Sequence, residues 1–134
     1  FNHRRNLGDG ILVKDNHLAA AAEMGLSMKE VVARLKRNAP HTLKVQIEVT
    51  SPELALEAMK AGADALLLDN MAVEAMRQVV KEVKGRIPLE ASGGITLSNV
   101  RAVAETGVDL ISAGALTHSV KALDISLELG YVSR

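Results

Sequence analysis

At 134 residues and 48% apolar, the chain has the size of one ordinary domain and enough material for a core. One Phe, one Tyr and no Trp leave no aromatic platforms for stacked bases, and 16 Lys and Arg against 16 Asp and Glu give no dominant basic surface for nucleic acid or an anionic membrane. With no Cys, disulfides, zinc thiolates and thiol catalysis are excluded, and no apolar run approaches the roughly 20 residues of a membrane span.

Taken in chain order, the pattern alternates short apolar runs with helical stripes. Asn2-His3-Arg4-Arg5 precedes a first strand, Ile11–Lys14, which ends in Asp15-Asn16-His17. Ser27 and Glu30 form a capping box ahead of Val31, Val32 and Leu35. Val45–Val49 reads as a second strand, with Glu48 inside an apolar run. Ser51 is the expected N-cap of the next helix, with Pro52 at its first position, an apolar face at Leu54, Ala55, Ala58 and Met59, and a stop at Gly62. The third strand, Ala65–Asp69, leads to Asn70 and then to the stripe Val73, Met76, Val79, Val80 and Val83, ended by Gly85 and Pro88. Leu89–Ser92 is the fourth strand, and Gly93-Gly94 precedes a helix expected from about Leu97. Leu110–Gly114 is the fifth, followed by a last helix around Thr117. The runs are mostly continuous rather than alternating, which predicts parallel strands buried on both faces.

The segment Gly62-Ala63-Asp64-Ala65-Leu66-Leu67 is echoed by Gly107-Val108-Asp109-Leu110-Ile111, two strand-helix units later. Such a repeat fits either a doubly wound sheet or a (β/α) barrel. No G-x-G-x-x-G follows the first strand, so the dinucleotide-binding version of the former lacks its main support. In both folds ligands bind at the C-terminal ends of the strands. There stand Lys14, Glu48, Asp69, Glu90, Ser92-Gly93-Gly94 and Ser112-Ala113-Gly114.

Two successive glycine-bearing strand-to-helix loops favour a phosphate site, since glycine lets backbone N–H groups approach an anion closely. Glu48 and Asp69, on neighbouring strands, suit Mg²⁺ or sugar hydroxyls, the alternative being ion pairs with Lys14. His3-Arg4-Arg5 offers forked donors for carboxylate or phosphate, although a solvated basic turn reads the same way. His41 is expected to be exposed, and His17 and His118 to lie in loops on the active rim. Neither of these two has the spacing of a transition-metal ligand.

Together these motifs resemble quinolinate phosphoribosyltransferase, also called carboxylating nicotinate-nucleotide diphosphorylase. The resemblance rests on Asn2-His3-Arg4 with Leu7, Lys14-Asp15-Asn16-His17, Glu48, Leu68-Asp69-Asn70, Leu89 through Ile95, Gly114 through Ser119 and Leu123 through Leu127. It implies an α/β fold, a partial (β/α) barrel with about five parallel strand-helix units. It also implies that residues 1–134 are the C-terminal part of a barrel phosphoribosyltransferase domain whose N-terminal domain and first strands lie upstream.

By the same resemblance the activity is that of a glycosyltransferase of de novo NAD synthesis. It forms nicotinate mononucleotide, CO₂ and pyrophosphate from quinolinate and phosphoribosyl pyrophosphate, with Mg²⁺, in a cytoplasmic homodimer or higher homo-oligomer. His3, Arg4 and Lys14 would face the quinolinate carboxylates. Glu48 and Asp69 would face the ribose hydroxyls and Mg²⁺, making Lys14, Glu48 and Asp69 the catalytic set. Ser92, Gly93, Gly94, Ser112, Ala113 and Gly114 would cradle the phosphate end. Asn6 and Thr50 depart from the family pattern, which has Gly and an acid there. Alternative readings are the homologous barrel proteins of molybdenum transport, which the intact Lys14-to-His17 motif disfavours, and a non-catalytic phosphate-binding module.

Overall fold

A computed structural model describes residue 6, residues 8–118, and residues 123 and 125. Five strands, β1 (Ile11–Val13), β2 (Val45–Val49), β3 (Ala65–Asp69), β4 (Leu89–Ser92) and β5 (Leu110–Ile111), form one parallel sheet in sequential order. Between and after them run α1 (Asp15–Glu23), α2 (Met28–Asn38), α3 (Pro52–Ala61), α4 (Val73–Val83), α5 (Val100–Ala104) and α6 (Ala115–His118).

The local signals explain most of these elements. Ser27 Oγ accepts the Glu30 N–H (3.3 Å) and Glu30 Oε2 accepts the Ser27 N–H (2.8 Å), so both halves of the capping box start α2. Ser51 Oγ accepts the Leu54 N–H at the start of α3, and Gly62 ends that helix at φ +95°, a left-handed conformation that costs glycine little. In α4, Met76, Val79 and Val83 are buried, which the helical spacing of the stripe predicts.

Burial on the sheet follows period two. Val45, Ile47 and Val49 on β2, Leu66 and Leu68 on β3, and Leu89 and Ala91 on β4 are buried, while the residues between them are only half-buried. The buried set joins Val32, Ala55, Ala58, Met76, Val79 and Val83 in one core under the helices. Consecutive helices touch one another, α1 to α2, α2 to α3, α3 to α4 and α4 to α5, as a single layer. Of the two faces expected to be buried, one is fully buried among the described residues and the other half-buried. One face carries the helices. The other, with Leu12, Gln46, Glu48, Ala65, Leu67, Asp69, Glu90 and Leu110, is open among the described residues. Sequential order with helices on one face belongs to a (β/α) barrel, whereas a doubly wound sheet has helices on both faces.

Three boundaries also differ. The first strand stops at Val13, and the fifth at Ile111. Residues 97–99 form a turn, so α5 begins at Val100, and Leu97 points outward at 98% exposure. α1 replaces the loop expected after the first strand.

The echo between Gly62 and Gly107 is structural. Asp64 Oδ2 accepts the Val45 N–H (2.9 Å) while the Asp64 N–H donates to the Val45 carbonyl (2.8 Å). Asp109 repeats this on Leu89, at 2.8 and 3.0 Å. Each aspartate precedes a strand and clamps the first residue of the strand before it, at the end of the sheet away from the polar rim.

Candidate active site

The rim is built where β1 to β5 end. Val13 pairs with Ile47, and the next residues along the chain are Lys14, just past the end of β1, and Glu48 on β2. Glu48 is also the partner of Leu67 on β3, and Asp69 two residues further along pairs with Ser92 on β4. The register thus gathers Lys14, Glu48, Asp69 and Ser92 at one end of the open face.

Their charges interact. Burial raises the Glu48 pKa above the ordinary carboxylate value, repulsion from Asp69 and then Asp15 adds to this, and Lys14 and His17 oppose it. The ion pairs among the described residues are Lys36–Asp64, Arg77–Glu74 and Arg101–Glu105, so Glu48 and Asp69 are not tied to Lys14 in the way the alternative reading required. Asp15, Leu18, Met28, Glu48, Val49, Thr50 and Leu54 line a cavity of about 190 Å³, which places Glu48 at its border.

Asp69 is oriented by its neighbour. Asn70 Nδ2 donates to Asp69 Oδ2 (2.9 Å), and the Asn70 N–H donates to the Ser92 carbonyl (3.0 Å). Asn70 itself sits at φ +50°, in left-handed backbone that asparagine tolerates better than most residues. Its side chain occupies the space beside Gly93, where an added Cβ would lie 2.4 Å from Asn70 Oδ1. Gly93 therefore makes room for Asn70, a reason the spacing of the glycines does not disclose.

The second half of that loop is braced by Asn99, whose Nδ2 donates to the Gly94 carbonyl (2.9 Å) and whose Oδ1 accepts the Thr96 N–H (2.8 Å). Because α5 starts only at Val100, this first loop presents its own backbone rather than a helix end. The second loop, Ser112-Ala113-Gly114, does lead directly into α6, and the His118 ring lies over Gly114, with Nε2 2.5 Å from where a Cβ would be.

The two histidines expected in rim loops are helical. His118 closes α6, and His17 stands in the first turn of α1, where its Nδ1 accepts the Lys14 N–H (3.0 Å) and caps the helix. His41 is exposed, as expected. His3 and Arg4 lie outside the described residues, as do Asn2, Leu7, Ser119, Asp124, Ser126 and Leu127 of the quoted motifs. Sequence reasoning set Asn70 and Glu90 on the rim without assigning either a partner, and passed over Gln46. Asn70 and Glu90 lie within quoted motifs, so a signal was present, but Gln46 has none.

A single helix layer outside a sequential parallel sheet, with acids and glycine loops at the strand ends, defines a segment of a (β/α)-barrel protein with its polar site at the expected rim. Residues 1–128 match the family described as quinolinate phosphoribosyl transferase, C-terminal domain. The chain belongs to that family.

It is 43% identical over 129 residues to a probable nicotinate-nucleotide pyrophosphorylase [carboxylating] of Bacillus subtilis, covering 96% of this chain and 43% of the relative. It is 42% identical over 130 residues to the nicotinate-nucleotide pyrophosphorylase [carboxylating] of Rattus norvegicus, covering 95% and 42%. The solved nicotinate-nucleotide pyrophosphorylase of Francisella tularensis superposes with a TM-score of 0.83 at 37% identity, covering 94% of this chain and 43% of that one. The chain spans less than half the length of these relatives.

Proposed function

We propose that the full-length protein carrying this chain is a carboxylating nicotinate-nucleotide diphosphorylase, converting quinolinate and phosphoribosyl pyrophosphate to nicotinate mononucleotide, CO₂ and pyrophosphate in NAD synthesis. The observation that carries this reading is the meeting of Glu48 and Asp69 on adjacent strand ends, close enough to Lys14 and to each other for their charges to interact. The pyridine nitrogen attacks the anomeric carbon of the sugar as the bond to pyrophosphate breaks, and positive charge develops on the ribose. Glu48 and Asp69 are fixed carboxylates in reach of such a charge and stabilise it without reorganising. The Lys14 ammonium holds a substrate carboxylate, and His3 and Arg4 serve the same end of the ring by resemblance. Loss of the ring carboxylate as CO₂ leaves its electron pair to the quaternised ring, so the protein's contribution is chiefly positioning.

Mg²⁺ fits this site. Glu48 and Asp69 are hard oxygen donors whose mutual repulsion a cation relieves. Among the described residues no group of three His, Cys, Asp or Glu stands ready to hold a metal. An ion held by Glu48 and Asp69 would keep several waters and take substrate phosphate oxygens. When bound, it supplies neutralisation of the departing pyrophosphate. The reading brings with it a homodimer or higher homo-oligomer and a cytoplasmic setting. Among the described residues no helix is long and apolar enough to cross a membrane.

The test is turnover by the full-length protein with quinolinate, phosphoribosyl pyrophosphate and Mg²⁺, read as nicotinate mononucleotide by chromatography. Wild type is expected to form product, and Glu48→Gln to lose about 10²- to 10³-fold in kcat, the usual loss when one electrostatic stabiliser is removed. A protein inert with quinolinate yet active on another base would overturn the reading.

A further inference from the structure

Glu90 stands on the open face of the sheet, half-buried, and the chemistry above does not use it. Its two carboxylate oxygens are both engaged by side chains from other strands. Gln46 Nε2, from β2, donates to Glu90 Oε2 at 2.8 Å, and the Ser112 hydroxyl, at the end of β5, donates to Glu90 Oε1. The bridge from β2 to β4 crosses β3, where Gln46 is the register partner of Ala65 and Glu90 that of Leu67. One carboxylate thus links three strands on the face the helices do not touch. Ser112 is held a second time by its backbone N–H, which donates to the Ala91 carbonyl (2.9 Å). It opens the loop that runs through Ala113 and Gly114 into α6.

We propose that Glu90 is a positioning residue for the phosphate end of the substrate, gripping the Ser112 side chain so that the second glycine loop keeps a fixed place against the first. This rests on the functional reading above. The carboxylate acts through Ser112 and has no contact with the reacting atoms. Charged acceptors make stronger hydrogen bonds than neutral ones, so a glutamate holds the serine and the glutamine together more firmly than a neutral residue would. Removing it leaves two side-chain donors on a half-buried face without their acceptor, and the loop gains freedom that the ligand must then remove.

The experiment is a double-mutant cycle in the full-length protein. Dissociation constants for phosphoribosyl pyrophosphate come from calorimetry, KM and kcat with quinolinate from steady-state rates, and unfolding midpoints from melting curves. Glu90→Ala is expected to raise both Kd and KM for phosphoribosyl pyrophosphate about tenfold, the worth of one positioned hydrogen bond, with kcat changed much less. Ser112→Ala should give the same loss, and the double variant no more than either alone. Glu90→Gln should recover most of it, because its amide oxygen still accepts the Ser112 hydroxyl and Gln46 can turn its own oxygen toward the new amide N–H₂.

A Glu90→Ala protein with lowered melting point but unchanged Kd and KM would reduce Glu90 to a structural tie and overturn the proposal. So would losses from Glu90→Ala and Ser112→Ala that simply add. If Glu90→Ala does not fold, Ser112→Ala and Glu90→Gln still decide. The proposal fails if the former leaves Kd unchanged or the latter loses as much as Ser112→Ala. A wild type that binds phosphoribosyl pyrophosphate but does not turn over quinolinate overturns the assigned reaction alone, because the binding cycle still reads Glu90. A wild type that binds none overturns both.

Discussion

Asn70 shows how a single residue connects fold to site. Its side chain donates to Asp69, its backbone N–H donates to the end of β4, and its position is available only because residue 93 has no Cβ. Gly93→Ala imposes two penalties together, a methyl 2.4 Å from an amide oxygen and an alanine at φ +83°. The left-handed backbone alone costs about 1–2 kcal/mol, and displacing Asn70 releases Asp69 from the amide that orients it. We therefore expect Gly93→Ala to lower the unfolding free energy by about 2 kcal/mol or more in a denaturant titration, and to weaken binding of phosphoribosyl pyrophosphate in the same protein. Asn70→Gly, which removes the obstructing side chain, should return the steric part of the stability to Gly93→Ala, leaving the cost of the left-handed alanine, and should not return the binding. Equal recovery of both would show that Asn70 serves the backbone alone.

Among elements, the paired clamps at Asp64 and Asp109 give the repeat an energetic meaning. Each accepts the N–H at the start of a buried strand, at Val45 and Leu89. Truncating either to alanine leaves that donor without its partner, a change worth about 1–3 kcal/mol. The two losses should be similar, because the geometry is the same. The clamps differ in charge environment. Burial tends to raise the Asp64 pKa, but the hydrogen bonds from Lys36 and Val45, with the charges of Lys36 and Lys44, make the net shift downward. A carboxylate with a lowered folded pKa adds stability that is present above its unfolded value, near 3.9, and fades as pH falls through the folded one. Wild type is thus expected to lose stability in that acid window, and Asp64→Asn to show a shallower loss there in melting curves recorded from pH 7 to pH 2. An identical slope would remove Asp64 from the acid response.

The same scale shows what a linear sequence discloses. The capping box at Ser27 and Glu30, the Ser51-Pro52 start and the Gly62 stop are local chemistry, and they place α2 and α3 where the sequence pattern puts them. α1 escaped because Asp15–Glu23 buries nothing completely, so Leu18 and the run of alanines offer no stripe to count. Leu97 misled in the opposite sense, as an apolar residue at helical spacing that faces water in a turn. Apolar runs named the strands correctly but could not say which face is covered, since Leu12, Leu67 and Leu110 on the open face are as apolar as Leu66 and Leu68 beneath the helices. Lys14, Glu48 and Asp69 were legible because parallel strands end at one rim. Glu90 with Gln46 was not, because their meeting crosses an intervening strand.

For the whole molecule, that open face sets where stability resides. β2, β3 and β4 are hydrogen-bonded on both sides, while β1 pairs with β2 alone and β5 with β4 alone among the described residues. Val45, Ile47, Leu66, Leu68 and Ala91, at 0% exposure, lie on the three inner strands, and β1 and β5 are three and two residues long. Local opening therefore costs least at the two sides and most at the centre. In a polypeptide of these 134 residues, backbone amides of Leu66 to Leu68 should exchange with solvent deuterons roughly 10²- to 10³-fold more slowly than those of Leu12 and Ile111, the span expected between fraying and core segments. The gradient should steepen in mild denaturant, where only global unfolding exposes β3. Uniform protection across all five strands would contradict it and require both edges to be covered. In that case light scattering at the same concentration should find a multiple of 14.2 kDa, since an unpaired strand edge and the half-buried Leu12, Leu67 and Leu110 are the surfaces through which such chains would join.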